Sequence, residues 1–108
     1  MIALRGQTGD FEANFGKQSG TVHTLQFAVR DGNGAVTPPD AGSVTITVRT
    51  PGADTFEDIE ANVFDLTNRG NWIQVLTGIH IGSMHFACAD LDAGKTLDVT
   101  ISSSFGSS

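Results

Sequence analysis

The chain has no tyrosine, one tryptophan, one cysteine, three prolines and two lysines among its 108 residues. Each scarcity excludes something. A single cysteine forms no internal disulfide and supplies no multi-cysteine zinc or iron–sulfur site within one chain. One tryptophan without tyrosine is poor stock for a sugar-binding face, which stacks several flat rings on pyranose surfaces. No apolar run approaches the roughly 20 residues of a membrane-spanning helix. The run that opens the chain ends at Arg5, short of the apolar stretch of about 7–15 residues in a secretory signal. These absences predict a chain made in the cytoplasm, with no signal peptide and no membrane partner. Basic residues are scarce as well: 6 against 12 acidic ones, for a formal net charge of −6. That balance argues against nucleic acid, or an anionic lipid surface, as a partner.

What remains is an alternation of apolar and polar residues, punctuated by 13 glycines. Over residues 21–30, Leu25, Phe27 and Val29 alternate with Thr24, Gln26, Ala28 and Arg30. Successive side chains of a strand point to opposite faces, so this is the pattern of a half-buried strand. Asp31-Gly-Asn-Gly34 suits a tight turn that needs positive φ angles, with a short answering strand over 35–37. Pro38-Pro39-Asp40-Ala-Gly42 predicts a loop. Over 43–50, Val44, Ile46 and Val48 take one face and Thr45, Thr47 and Arg49 the other, and Pro51-Gly52 ends the strand.

Further strands are predicted over 72–76 and 79–81. Met84, Phe86 and Cys88 continue an alternation whose phase slips near Gly82-Ser83, as at a bulge or turn. Asp92-Ala-Gly-Lys95 predicts a hairpin turn into 96–101, where Leu97, Val99 and Ile101 face inward. Residues 102–108 read as a small-residue tail with one buriable side chain, Phe105. One stretch is ambiguous: Phe56, Ile59, Val63 and Leu66 fall at helical spacing behind Glu57, Asp58 and Glu60, yet also fit two weaker strands. Strands recurring roughly every 8–12 residues give the expected fold. It is all-β: one small antiparallel β-sandwich or flattened barrel over residues 1–108, with at most a short helical segment near 56–66. Scarce lysine leaves the sheet edges without their usual protection, which suggests that a neighbouring subunit covers some of them.

Residues able to carry chemistry are few. His80, His85 and Cys88 are zinc-type ligands close in sequence. However, His85 and Cys88 are an odd number apart, so a regular strand turns them to opposite faces. Cys88 then reads as a small buried hydrophobe beside Met84 and Phe86. Asp90-Leu-Asp92, with Asp54, Asp58 and Asp65, offers carboxylates but no calcium-loop spacing, so these read as turn residues. No Gly-x-Ser-x-Gly elbow accompanies the eight serines and three histidines, and no Gly-x-x-x-x-Gly-Lys-Ser phosphate loop is present. The expectation is a non-enzymatic chain with no catalytic, metal or cofactor residues. Trp72, following the Asn68-Arg-Gly-Asn71 loop, reads as a core or interface anchor. It heads the candidate contact residues Trp72, Asn71, Arg69 and Phe105.

The run Asn71-Trp-Ile-Gln-Val-Leu-Thr-Gly-Ile-His-Ile-Gly-Ser-Met-His-Phe-Ala-Cys-Ala-Asp-Leu-Asp-Ala-Gly-Lys-Thr-Leu-Asp-Val-Thr-Ile101 resembles the C-terminal meander of small β-sandwich accessory proteins in tailed-phage virions. The likeness covers about a third of the chain and lies in strand rhythm and Gly-Lys-Thr hairpin chemistry. It implies a virion location and a subunit that decorates a capsid, forms a head fibre or joins tail parts. Its partners would be copies of itself, a trimer being favoured, and a larger capsid or tail assembly. It implies no particular binding residues. The alternative is a ligand-binding β module for a glycan or cell-surface molecule, built on an exposed Trp72 with the 31–34 and 68–71 loops at one end of the sandwich.

Overall fold

The alternating runs become two layers. A computed structural model describes residues 2–15 and 20–104. Among them it forms β1 (Ile2–Gln7), β2 (Asp10–Asn14), β3 (Val22–Arg30), β4 (Ser43–Arg49), β5 (Glu57–Asp65), β6 (Ile73–Thr77), β7 (Ser83–Ala89) and β8 (Thr96–Ser104), with one 3₁₀ turn at Arg69–Asn71. Two four-stranded antiparallel sheets result, ordered β1-β8-β3-β6 and β2-β7-β4-β5. The expected all-β sandwich is the observed fold. Among the described residues, no helix is long and apolar enough to cross a membrane.

The period-two pattern buries one face of each sheet. Leu25, Phe27 and Val29 of β3 and Leu97, Val99 and Ile101 of β8 line one inner face; Val44, Ile46 and Val48 of β4 with Met84 and Phe86 of β7 line the other. Phe27 joins the layers, its ring edge-on to Phe86 at 6.4 Å and tilted against Phe64 at 6.4 Å. Interdigitating side chains of this kind set the roughly 10 Å spacing of packed sheets.

The connections depart from expectation. Residues 79–81 are not a strand: they carry the chain from β6 in one sheet to β7 in the other, and Ile81 is buried on the way. The phase slip at Gly82-Ser83 is therefore a change of layer. The turn at 92–95 exists, with the Lys95 N–H donating to Asp92 O at 3.2 Å, but it is no hairpin, because β7 and β8 lie in different sheets. β6, β7 and β8 thus form no meander, and β3 separates β6 from β8.

Residues 35–37 contribute one isolated bridge, Arg30 to Val36. The 56–66 stretch is strand, not helix. The tail begins later than expected: Ser102, Ser103 and Ser104 pair with Thr24, His23 and Val22 as the end of β8. Gly42 shows why the 38–42 loop ends in glycine: its φ is +145°, and a Cβ there would meet Leu91 at 3.0 Å.

One polar side chain fastens the crossover to the core. His23 is fully buried, with Nε2 2.7 Å from Ile79 O and Nδ1 2.8 Å from Ser103 Oγ. A carbonyl only accepts, so Nε2 carries a hydrogen; the Ser103 hydroxyl satisfies Nδ1. The ring also meets Phe15 edge-on at 5.6 Å. His23→Leu removes both bonds and leaves the Ile79 carbonyl without its donor. It is expected to lower the unfolding free energy by about 2–3 kcal/mol, read as a lower urea midpoint. An unchanged midpoint would show that the two bonds contribute nothing net.

Candidate interaction surface

The residues singled out around Trp72 do come together, though not as a ligand platform. Trp72 closes the 3₁₀ turn and is 6% exposed. Its Nε1 donates to Leu66 O at 2.9 Å, and the Arg69 guanidinium lies 5.0 Å above the ring. Asn68 caps the turn by accepting from the Gly70 N–H at 2.9 Å. The Asn71 side chain donates to Asp65 O at 3.1 Å, and Gln74 donates to Asn71 O at 2.9 Å. The ring is a core anchor under Arg69, so a sugar has no indole face to stack on. Phe105 lies outside the described residues.

The strand registers do put the 31–34 and 68–71 loops at one end of the sandwich. The carboxylates there serve turns. Asp31 accepts from the N–H groups of Asn33 and Ala35, which hold its carboxyl below the usual range. Asp92 accepts from the Asp40 N–H and from Lys95, with the same effect, and so ties the 31–42 loop to the 90–95 turn. A shallow groove of about 560 Å³ at this end is lined by Asp40, Ser43, Val63, Asp65 and Asp90.

The zinc-type residues diverge. His80 is exposed on the crossover, His85 lies on the outer face of β7, and Cys88 packs against the core. Burial raises the pKa of the Cys88 thiol, which lowers its reactivity. Ser83 is buried, accepting from Arg49 at 2.9 Å and donating to Asn14 at 2.8 Å. The serine–histidine contact of Ser103 with His23 has a backbone carbonyl, not a carboxylate, behind a ring that no solvent reaches. It serves packing.

The outstanding surface is a strand edge, which reading by residue chemistry passes over. β1, β6, β2 and β5 are the sheet edges. β1 carries Arg5 and an irregular register between Leu4 and Gln7; β2 carries Asp10 and Glu12; β5 carries Glu57, Asp58 and Asp65 and also shifts register. Charges and bulges of this kind discourage edge-to-edge pairing. β6, Ile-Gln-Val-Leu-Thr, has neither charge nor bulge. Ile73 and Val75 are 62% and 55% exposed, on an outer face shared with Thr24, Gln26, Thr100 and Ser102.

The hydrogen bonds at its two ends fix which way its backbone points. Trp72 O accepts from the Phe27 N–H, and the Gly78 N–H donates to Thr21 O. Antiparallel alternation then turns the N–H and C=O groups of Gln74 and Leu76 toward β3. Those of Ile73, Val75 and Thr77 point away from it, and none of the described strands pairs with them. Neither the protein-family models nor the curated proteins compared with the chain gave a match.

Proposed function

We propose that this chain is a non-enzymatic structural subunit acting through protein–protein contacts, above all with copies of itself. The setting we favour is a virion, as a capsid-decorating or head- or tail-associated part. The observation that carries the reading is the β6 edge: exposed apolar side chains beside backbone groups that no described strand pairs with, on the one edge among the described strands that bears no charge. The virion setting rests on the strand rhythm of residues 71–101 alone, since β6, β7 and β8 form no meander there. The glycan-binding alternative loses its main residue with the burial of the Trp72 ring.

Absolute mass in solution tests the reading, by light scattering on a size-exclusion column over about a tenfold concentration range. A species of two or more 11.3 kDa chains is expected. A monomer at every concentration overturns self-assembly.

A further inference from the structure

We infer that two copies of this chain pair β6 to β6 about a twofold axis, joining their four-stranded sheets into one continuous eight-stranded sheet. The inference rests on the assembly reading and specifies its contact. Three of the four edges present charges that would meet their own likeness across a twofold axis: Arg5 on β1, Asp10 and Glu12 on β2, Glu57 and Asp58 on β5. In a chain of net charge −6, copies approach with least repulsion where charge is absent, and that is β6.

The register follows from the backbone. Outward N–H and C=O groups belong to Ile73, Val75 and Thr77, so these must face one another in the partner strand. The antiparallel register that overlaps all five residues of β6 sets Val75 opposite Val75 of the second copy and Ile73 opposite Thr77. Ile73 then lies diagonal to the second Val75, within reach of a branched side chain. Four apolar side chains that are more than half exposed in the single chain close over the new seam. Pairing of this kind is isologous and uses up the edge, so it stops at two.

Charge sets the salt dependence. β1 and β2 touch along one side of the sandwich, which leaves β5 beside β6 on the other side, in the other layer, so that its Glu57, Asp58 and Asp65 lie about one sheet spacing from the seam. That distance is near the Debye length at physiological salt. Association therefore strengthens as salt rises, the reverse of a contact driven by opposite charges.

The test compares the full chain with Val75→Lys and, as a control of equal exposure on another edge, Val63→Lys. Mass is measured by light scattering and amide exchange is followed residue by residue in NMR. The expected native species is a dimer, tighter at 500 mM than at 50 mM sodium chloride, with the amides of Ile73, Val75 and Thr77 protected alongside those of Gln74 and Leu76. Val75→Lys sets two ammonium groups against each other at the axis. It should weaken association by about tenfold or more and expose the amides at 73, 75 and 77. Those of Gln74 and Leu76, bonded to β3, should stay protected and so report an intact fold. Val63→Lys should leave the dimer unchanged or tighten it.

A trimer, or a dimer that ignores Val75→Lys, overturns the β6 pairing and leaves the assembly reading standing. A native chain that stays monomeric at both salt concentrations overturns both.

Discussion

Replacing Phe27 by alanine is expected to lower the unfolding free energy by about 3–5 kcal/mol, a large part of the roughly 5–15 kcal/mol that holds a domain together. Phe27 is 1% exposed in the middle of β3, between Val99 of β8 and the 72–73 segment that leads into β6. Its ring is the bridge between sheets, meeting Phe86 of β7 and Phe64 of β5. Truncation removes the ring's contacts with both and leaves a cavity between layers that rigid strands collapse into poorly. The backbone bond from Phe27 N–H to Trp72 O, at 2.7 Å, keeps its place, so the loss is one of packing. Val36→Ala, at a residue 43% exposed, should change stability by no more than about 0.5 kcal/mol. Urea melts of the two variants against the native chain check the contrast. Equal losses at both sites would mean that the core is not where the structure puts it.

Strands were legible wherever one face is buried without interruption. β3, β4 and β8 each keep strict alternation over their inward residues, because a sheet with one solvated face leaves that trace in the sequence. β1 and β2 were missed. They are short, Gly6 breaks the alternation behind Ile2 and Leu4, and β2 has only Phe11 and Ala13 to bury. β5 misleads for a geometric reason. A step of two residues on β4, from Thr45 to Thr47, answers a step of five on β5, from Val63 to Asp58. The odd surplus flips the phase of the apolar residues on either side, so Phe56, Ile59, Val63 and Leu66 mimic a helical repeat.

Topology was illegible at the crossovers. A phase slip such as Gly82-Ser83 has the same signature whether the strand bulges or the chain changes layer. Trp72 was legible as a core anchor, which it is, but its contacts were not. The packing of Trp72 under Arg69 depends on the Leu66 carbonyl and on the 3₁₀ turn, neither of which a composition or a spacing displays. The β6 edge is a property of sheet order. An uncharged run of five residues gains meaning only once the sheet order places no described strand on one side of it.

Asp98→Asn should cost about 2–3 kcal/mol at pH 7, and this loss should shrink in acid. By parity Asp98 belongs on the outer face of its sheet, opposite Ala28, yet it is only 7% exposed. β1 covers it: a step of three from Leu4 to Gln7 answers a step of two from Val99 to Leu97, and Gly6 takes φ +68° in the bulge. The Gly6 N–H donates to Oδ1 at 2.7 Å, Arg30 Nε donates to Oδ2 at 2.7 Å, and Arg5 stands 3.9 Å away.

Burial pushes this carboxyl up, but the Gly6 N–H, the Arg30 bond and the two positive charges outweigh it and hold the pKa below 3.8. A carboxyl of lower pKa in the folded chain binds protons less readily than in the unfolded one. Its contribution is therefore complete above about pH 4 and is lost as pH falls through the folded value. The asparagine amide keeps the shape, loses the charge and turns a donor toward Arg30. That side chain is 36% exposed and recovers some hydration, which keeps the loss below that of a fully buried pair. The gap between native and variant stability should stay constant from pH 7 to about pH 5 and narrow below about pH 4. Urea midpoints at pH 7, 5 and 3 decide the matter. A gap that persists undiminished at pH 3 would show that the loss comes from the amide donor facing Arg30, with the charge of Asp98 contributing nothing.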